Sequence, residues 1–279
     1  MHYTDQTYLK GTQYKDASNL DARIALHQRF AEREVNWHRW LFEQYAVPER
    51  GRVLELGCGP GTFWLENAKR IPAGWDITLS DLSEGMLEEA KARLQSVSHS
   101  FNFAEVDAQA IPFEDDLFDM VMANQVFHHI PDANRALAEI RRVLKPGGRV
   151  YIATSGEAHL QELTELAAHL MEEASLRTFK YAFSSQPFKL EEGKRLLETH
   201  FEKVTLHRSA KNDLYVTEAE LLVAFLLSMN ASETFKQRSD EKSGERLESF
   251  RAYLNAQIAE HGSIHITRDV GLLEAHSPK

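Results

Sequence analysis

The sequence predicts an α/β protein: a mostly parallel sheet of seven strands with helices on both faces, preceded by a helical cap and carrying an insertion after the fifth strand. Three observations predict it. From Gly51 onward, short apolar runs alternate with segments of helical periodicity, which is the pattern of strand–helix–strand crossovers. The first run enters its helix through three alternating glycines, "RVLELGCGPGTFWLENA" from Arg52 to Ala68. Two later strand-like runs, "FEKVTLHRS" and "SIHITRDVGLLEA", bring the strand count to seven.

In chain order, residues 1–50 read as a helical cap, because "LDARIALHQRF" and "NWHRWLFEQYA" repeat apolar and aromatic residues at spacings of three and four. The remainder, 51–279, forms one unit. Its core, 51–155, alternates "RVLELG", "DITLSDL", "FNFAEVDA", "FDMVMAN" and "GRVYIATS" with helices. Asp132 is positioned to cap the helix of Leu137, Ile140 and Leu144, and "KPGG" ends that helix before the fifth strand. Beyond Ser155, "AHLQELTELAAHLMEEAS" sets Leu160, Leu163, Leu166, Leu170 and Met171 on one helical face, which predicts a lid over about 156–214. The C-terminal part, 201–279, adds the late strands and helices near Glu218–Met229 and Arg246–Glu260, joined by the charged linker "KQRSDEKSGER".

The bulk numbers exclude several classes. With 43% hydrophobic and 27% charged residues in 279, the composition is that of an ordinary globular chain with a substantial core. Thirty-two basic against 42 acidic side chains leave a net charge of −10, so nucleic acid meets a repelling average field and is not an expected partner. The longest aliphatic run, "LLVAFLL", is too short to span a bilayer, and the first residues show no apolar targeting core. A soluble, cytoplasmic protein is expected. The single cysteine, Cys58, rules out a disulfide framework within the chain and any Cys-x-x-Cys site.

A strand that enters a helix through glycines presents backbone N–H groups at the carboxyl edge of a sheet, where small ligands bind. Gly57, Gly59 and Gly61 permit positive φ angles and close approach of a ligand. The ligand is not obviously a phosphate. The dinucleotide fingerprint needs a glycine at the sixth position, which here is Thr62, and no Gly-Lys-Ser/Thr follows for a nucleotide-triphosphate loop. Glu55, two residues before the first glycine, suits a cation. Asp81 lies 81 − 61 = 20 residues past the last glycine, where such sheets hold an acid against a ribose diol. A ribose, a cation and no pyrophosphate together describe S-adenosylmethionine.

At this point the chain resembles the class I S-adenosylmethionine-dependent methyltransferases, in particular the group similar to the ubiquinone and menaquinone C-methyltransferases. "VLELGCGPG", "LSDLSEGML", "VDAQAIPFEDDLFDMVMANQVFHHIPD" and "LKPGGRVYI" resemble its ordered motifs over about Arg52 to Ser155. The resemblance implies a Rossmann-like sheet and methyl transfer by in-line displacement to a small-molecule acceptor, with S-adenosylhomocysteine as product. It implies that Gly57 and Gly59 contact the methionine part, with Glu55 supporting its ammonium. Asp81 would hold the ribose, Leu82 and Met86 pack on the adenine, Asp107 take its amino group and Ala108 face the ring. Asn124 and Gln125 would line the pocket near the sulfonium, and Tyr14 and Arg23 close over the cofactor.

Other residues carry competing readings. Cys58 fits as a small packing residue in the loop. His128 and His129 are adjacent, so neither strand nor helix geometry puts both on one face, which argues against a paired metal site and leaves them as packing or supporting residues, with one of them as a candidate general base. Glu114, Asp115, Asp116 and Asp119 read as a solvated turn, and no metal site is expected. Trp37, Trp40, Phe42 and Tyr45 either line an acceptor pocket or bury the N-terminal helices. "ANQVFHH" after the fourth strand lacks the Asn/Asp-Pro-Pro-aromatic loop of many amino-group methyltransferases, which favours a small acceptor. The catalytic residue, the acceptor atom and the oligomeric state stay open. Two other functions stay in view: a regulatory protein that binds S-adenosylmethionine without turnover, and a nicotinamide-dependent oxidoreductase.

Overall fold

The structure, a computed structural model, describes residues 4–9, 11, 26–27, 29–31, 36–46, 48–184, 188–210, 212–229, 232 and 241–278. Its centre is a seven-stranded sheet made of β1 (Arg50–Leu56), β2 (Gly74–Asp81), β3 (Phe101–Glu105), β4 (Phe118–Asn124), β5 (Leu144–Ser155), β6 (Glu202–Arg208) and β9 (Val270–His276). The order is β3-β2-β1-β4-β5-β9-β6, parallel except for β9, which pairs antiparallel with both neighbours. The direction of winding reverses between β1 and β4, and in such sheets the crevice at the strands' carboxyl ends at that point is where ligands bind.

The period-2 alternation of strand side chains builds both layers. Val53, Ile77, Leu79, Met120, Met122 and Tyr151 face helices Trp37–Gln44, Thr62–Glu66 and Glu84–Leu94. Leu54, Leu56, Val121, Ala123, Val150 and Ile152 face helices Ala133–Val143 and Leu190–His200. Capping follows the sequence: Asp132 accepts from the Arg135 N–H at 3.0 Å and Ser83 from the Met86 N–H at 3.4 Å. Past Val143 the chain passes directly into β5, whose pairing with β4 is irregular between Phe118 and Met120 and whose Pro146–Gly147 turn lies within the strand's own span. The acidic run is a turn at Asp115 and Asp116 leading into β4, which holds Asp119, and ion pairs fix it: Asp115 binds Arg142 at 2.8 Å and Asp119 binds Lys145 at 2.8 Å.

A third apolar cluster forms the cap, and it is wider than one insertion. It joins Leu160–Phe179 to Leu214–Met229 and Phe250–Ile266, and takes in Leu26 and Phe30 from the N-terminal region. Two details depart from the sequence reading. The single helix expected over "AHLQELTELAAHLMEEAS" is two helices, Leu163–Leu170 and Glu173–Ser184, because buried Met171 adopts extended geometry. The expected strand "SIHITRDVGLLEA" is also divided. Its first part, β8 (Ile264–Ile266), pairs with β7 (Leu214–Val216) in a separate two-stranded sheet, and only its second part joins the main sheet as β9. The apolar periodicity runs through both parts of each segment, so only the packing partners distinguish them. The charged linker before Glu241 and the candidates Tyr14 and Arg23 lie outside the described residues. No helix among the described residues is long and apolar enough to cross a membrane.

Candidate active site

Parallel register aligns the strand ends that carry the site. Glu55 pairs with Leu79 on β2 and Met122 on β4, Asp81 with Glu105 on β3, and Asn124 with Ala153 on β5. Above these ends lies a cavity of about 430 Å³. Glu55, Gly57, Gly59, Asp81, Leu82, Met86, Asp107, Ala108, Asn124 and Gln125 all line it.

The turn after β1 has the backbone anticipated from its glycines: φ is +70° at Gly57, +52° at Gly59 and +74° at Gly61. Gly57 is needed twice over, because a Cβ there would stand 2.6 Å from Val126 Cγ2. Gly59 has nothing within 4 Å of where a Cβ would stand, so its backbone is bare toward the cavity. Cys58 between them is buried, and its own burial together with the Asp81 and Glu55 charges pushes the thiol above its ordinary value. It packs as a neutral thiol and is a poor nucleophile.

Glu55 is only 1% exposed because strand alternation turns it toward the same face as Val53, into the aromatic layer. Trp64 Nε1 donates to Oε2 at 2.5 Å and Asn124 Nδ2 to Oε1 at 2.9 Å. Asn124 Oδ1 in turn accepts from the Tyr45 hydroxyl at 2.9 Å. Burial outweighs these bonds and raises the carboxyl from 4.5 to about 7. A buried carboxylate of this kind is stabilised by a cation placed beside it.

Asp81 is held by the glycine turn and by its own loop: the Gly59 N–H donates to Oδ2 and the Ser83 N–H to Oδ1, each at 2.9 Å. Asp107 receives the Gln109 N–H and, at 2.9 Å, the side-chain amide of Gln6. Burial pushes Asp107 upward, yet the bonds from Gln109 and Gln6 outweigh it and hold the carboxyl below its ordinary value. Asp107 therefore stays ionised at neutral pH beside the glycine loop.

Several groups reach the cavity that the sequence reading did not single out: Gln6, Leu9 and His27 from the N-terminal region, His38, and His159, Lys189, Phe225, Met229 and Arg268 from the cap side. Each is a lone residue in an otherwise ordinary segment, so no local pattern marked them. One expectation about shared faces is corrected. His128 and His129 sit in a 3₁₀ turn, Phe127–His129, and both line the cavity with ring centroids 4.0 Å apart; the tight turn replaces the alternation that separates neighbours in a strand. No cluster of three or more metal-ligating side chains occurs among the described residues. The aromatic question divides: Trp37 lines the cavity with Trp40 stacked on it at 5.1 Å, while Phe42 and Tyr45 pack on Phe63 in the sheet layer. Gln125 and Leu160, both on the wall, hold φ near +56°, which non-glycine residues rarely adopt.

Residues 54–152, which contain the glycine turn and the ends of β1 to β4, match the family model described as methyltransferase domain. Over this core the chain is similar to class I methyltransferase domains. The ubiquinone/menaquinone biosynthesis C-methyltransferase of Pectobacterium atrosepticum is 29% identical over 132 residues, 47% of this chain and 53% of that protein. The malonyl-[acyl-carrier protein] O-methyltransferase of Geobacter sulfurreducens is 31% identical over 159 residues, 57% of each. This chain thus spans about half the length of the relatives it matches. Among solved structures, phosphoethanolamine N-methyltransferase 2 of Haemonchus contortus, in complex with S-adenosyl-L-methionine, superposes with a TM-score of 0.60 at 21% identity, over 100% of this chain and 60% of that one. That likeness establishes the Rossmann-like sheet architecture and nothing finer.

Proposed function

We propose that this chain transfers the methyl group of S-adenosylmethionine to a small-molecule acceptor held in the same cavity. One observation carries the reading: the ends of four adjacent strands bring Glu55, the bare Gly59 backbone, Asp81, Asp107 and Asn124 to a single cavity. The fit to the cofactor is chemical. An ammonium beside Glu55 relieves the cost of its burial, whereas a pyrophosphate there would be repelled. Asp81, held by the Gly59 and Ser83 N–H groups, presents a charged acceptor to ribose hydroxyls. Leu82 and Met86 offer apolar contact to the adenine, Ala108 its backbone, and Asp107 an acceptor for the amino group. Asn124 orients Glu55, Gln125 stands beside it, and Gln6 with Leu9 closes the adenine end.

When bound, the cofactor supplies a methyl carbon activated by its sulfonium, so the protein's share of catalysis is alignment and exclusion of water. The apolar cap side, with Leu160, Phe225 and Met229 on the wall, supports that exclusion. For a carbon or hydroxyl acceptor, His128 or His129 takes up the proton that is lost. The two relatives and the structural neighbour are named for carbon, oxygen and nitrogen methylation, so the acceptor atom depends on this chain's own residues.

Calorimetry with S-adenosylmethionine tests the donor site. Asp81→Asn keeps an acceptor for one of the two backbone amides, sets its N–H₂ against the other and loses the charge, and should weaken binding by roughly 1.5–3 kcal/mol. Unchanged affinity in the folded variant would remove the ribose assignment. Incubation with methyl-labelled cofactor and a metabolite extract tests turnover: tight binding with no labelled product would favour a cofactor-binding regulator.

A further inference from the structure

The strand order distributes charge unevenly along the cavity. Its carboxylates, Glu55, Asp81 and Asp107, come from β1, β2 and the segment after β3, on one side of β4. Its cations, Lys189 and Arg268, come from the other side. Ser155 at the end of β5 pairs with Val270 at the start of β9, which sets Arg268 at that strand end. Thr154 Oγ1 donates to the Phe188 carbonyl at 3.0 Å, which brings Lys189 to the same place. The Gly156 N–H donates to the Asp269 carbonyl at 2.9 Å and closes the cluster.

The groups at this basic end are donors. Arg268 Nε is buried with no hydrogen-bond partner, and burial lowers the guanidinium's pKa, as expected of a charge that water does not solvate well. Asp213, whose charge bears on Arg268, accepts from the Arg268 backbone N–H and from His265, each at 2.9 Å, and stands outside the cavity lining. His159 also lines the cavity. The Asp269 N–H donates to its Nδ1 at 3.3 Å, which places the ring proton on Nε2. Burial and the charges of Arg268 and Lys189 lower its pKa to about 3, so the ring is neutral and Nε2 is a donor at physiological pH. A guanidinium, an ammonium and an imidazole N–H at one end of a cavity suit an oxyanion, and Arg268 in particular matches a carboxylate or phosphate through its planar fork.

Resting on the donor assignment above, we infer that the methyl acceptor carries an oxyanion, a carboxylate or phosphate group, gripped by Arg268 with Lys189 and His159. Its reactive atom then lies toward β4, between the two charged ends. This arrangement also separates the ligands: the cationic donor and the anionic acceptor are each repelled from the other's end, so the field sets their orientation before contact.

The test uses the full chain saturated with S-adenosylhomocysteine and follows the melting temperature as inorganic phosphate, acetate or choline is added as the chloride or sodium salt at constant ionic strength. Phosphate or acetate should raise the melting temperature by roughly 3 °C at ten times its dissociation constant. A response to phosphate alone marks a phosphate ester, to acetate alone a carboxylate, and to both the shared oxyanion. Arg268→Gln should weaken the anion by roughly tenfold or more, with S-adenosylhomocysteine affinity changed less than about threefold; Lys189→Gln gives a second reading if the first variant fails to fold. No response to either anion, an equal response in both variants, or a response to choline in their place would overturn the inference. If S-adenosylhomocysteine fails to bind the wild type while the Arg268-dependent anion response persists, the donor assignment falls and the anion site stands.

Discussion

Replacing Glu55 by glutamine isolates the cost of the buried carboxylate at the centre of the site. The rise from 4.5 to about 7 corresponds to about 3 kcal/mol. The folded state holds this proton to higher pH than the unfolded chain does. Its contribution to stability is therefore full below about pH 4.5 and is lost as pH rises through 7. Glutamine resembles the protonated form: it keeps one acceptor oxygen but sets an N–H₂ against either Trp64 Nε1 or Asn124 Nδ2, at a cost of about 1–3 kcal/mol. The variant should then be less stable than wild type at pH 5 and close to it, or above it, at pH 8. Urea unfolding across this range checks the difference between the two curves, in which the contributions of other titrating groups cancel. Ligand binding supplies a second reading. A cation beside Glu55 favours the ionised form, so S-adenosylmethionine affinity should rise with pH up to about 7 in the wild type, with proton release measurable by calorimetry in buffers of different ionisation enthalpy. In E55Q that pH dependence should vanish and affinity at pH 8 should fall. Parallel stability curves for the two proteins, or binding without proton release at pH 6, would refute the reasoning.

The glycine turn separates folding from binding. Gly57→Ala meets both positive φ and Val126 at 2.6 Å and should destabilise by about 2–4 kcal/mol in thermal unfolding, whereas Gly59→Ala has room for its Cβ, should cost about 1–2 kcal/mol, and should nonetheless lose most cofactor binding in calorimetry. Arg142→Ala removes donors from the Ile111 and Phe113 carbonyls and from Glu139; it should lower stability by about 1–3 kcal/mol and leave cofactor affinity unchanged. Cys58 should react with a thiol reagent at pH 8 far more slowly than an exposed thiol, more slowly still with S-adenosylhomocysteine bound, and rapidly in urea, and Cys58→Ala should retain binding.

Much of the acidic half of the cavity was legible because its groups sit at strand ends within one continuous stretch. Glu55 lies at the end of β1 and Gly57 and Gly59 in the turn after it, Asp81 ends β2, and Asp107 follows two residues beyond β3. In a parallel sheet, those ends come together whatever covers them. The acidic run read only in part: Asp115 and Asp116 form the turn, whereas Asp119 lies in β4, and Arg142 and Lys145, far along the chain, pair with Asp115 and Asp119. The role of Asn124 was only half visible: its position at the end of β4 was clear, but its bonds to Glu55 and Tyr45 depend on a strand and a helix end far away in the chain. His128 and His129 were misjudged because a 3₁₀ turn has neither of the periods used to assign faces.

The basic half of the cavity had no sequence signature. Arg268, Lys189 and His159 are single residues from separate segments, and their meeting depends on the antiparallel return of β9 beside β5 and on how the cap folds over it. Local periodicity encodes which face of an element is apolar, and a glycine turn encodes its own backbone angles; both are short-range properties that survive in the linear chain. Which lone charge faces which is a long-range property, set by strand order and cap packing. For that reason the acidic end of this cavity can be read along the chain, whereas the basic end exists only once β5, β9 and the cap have been brought together.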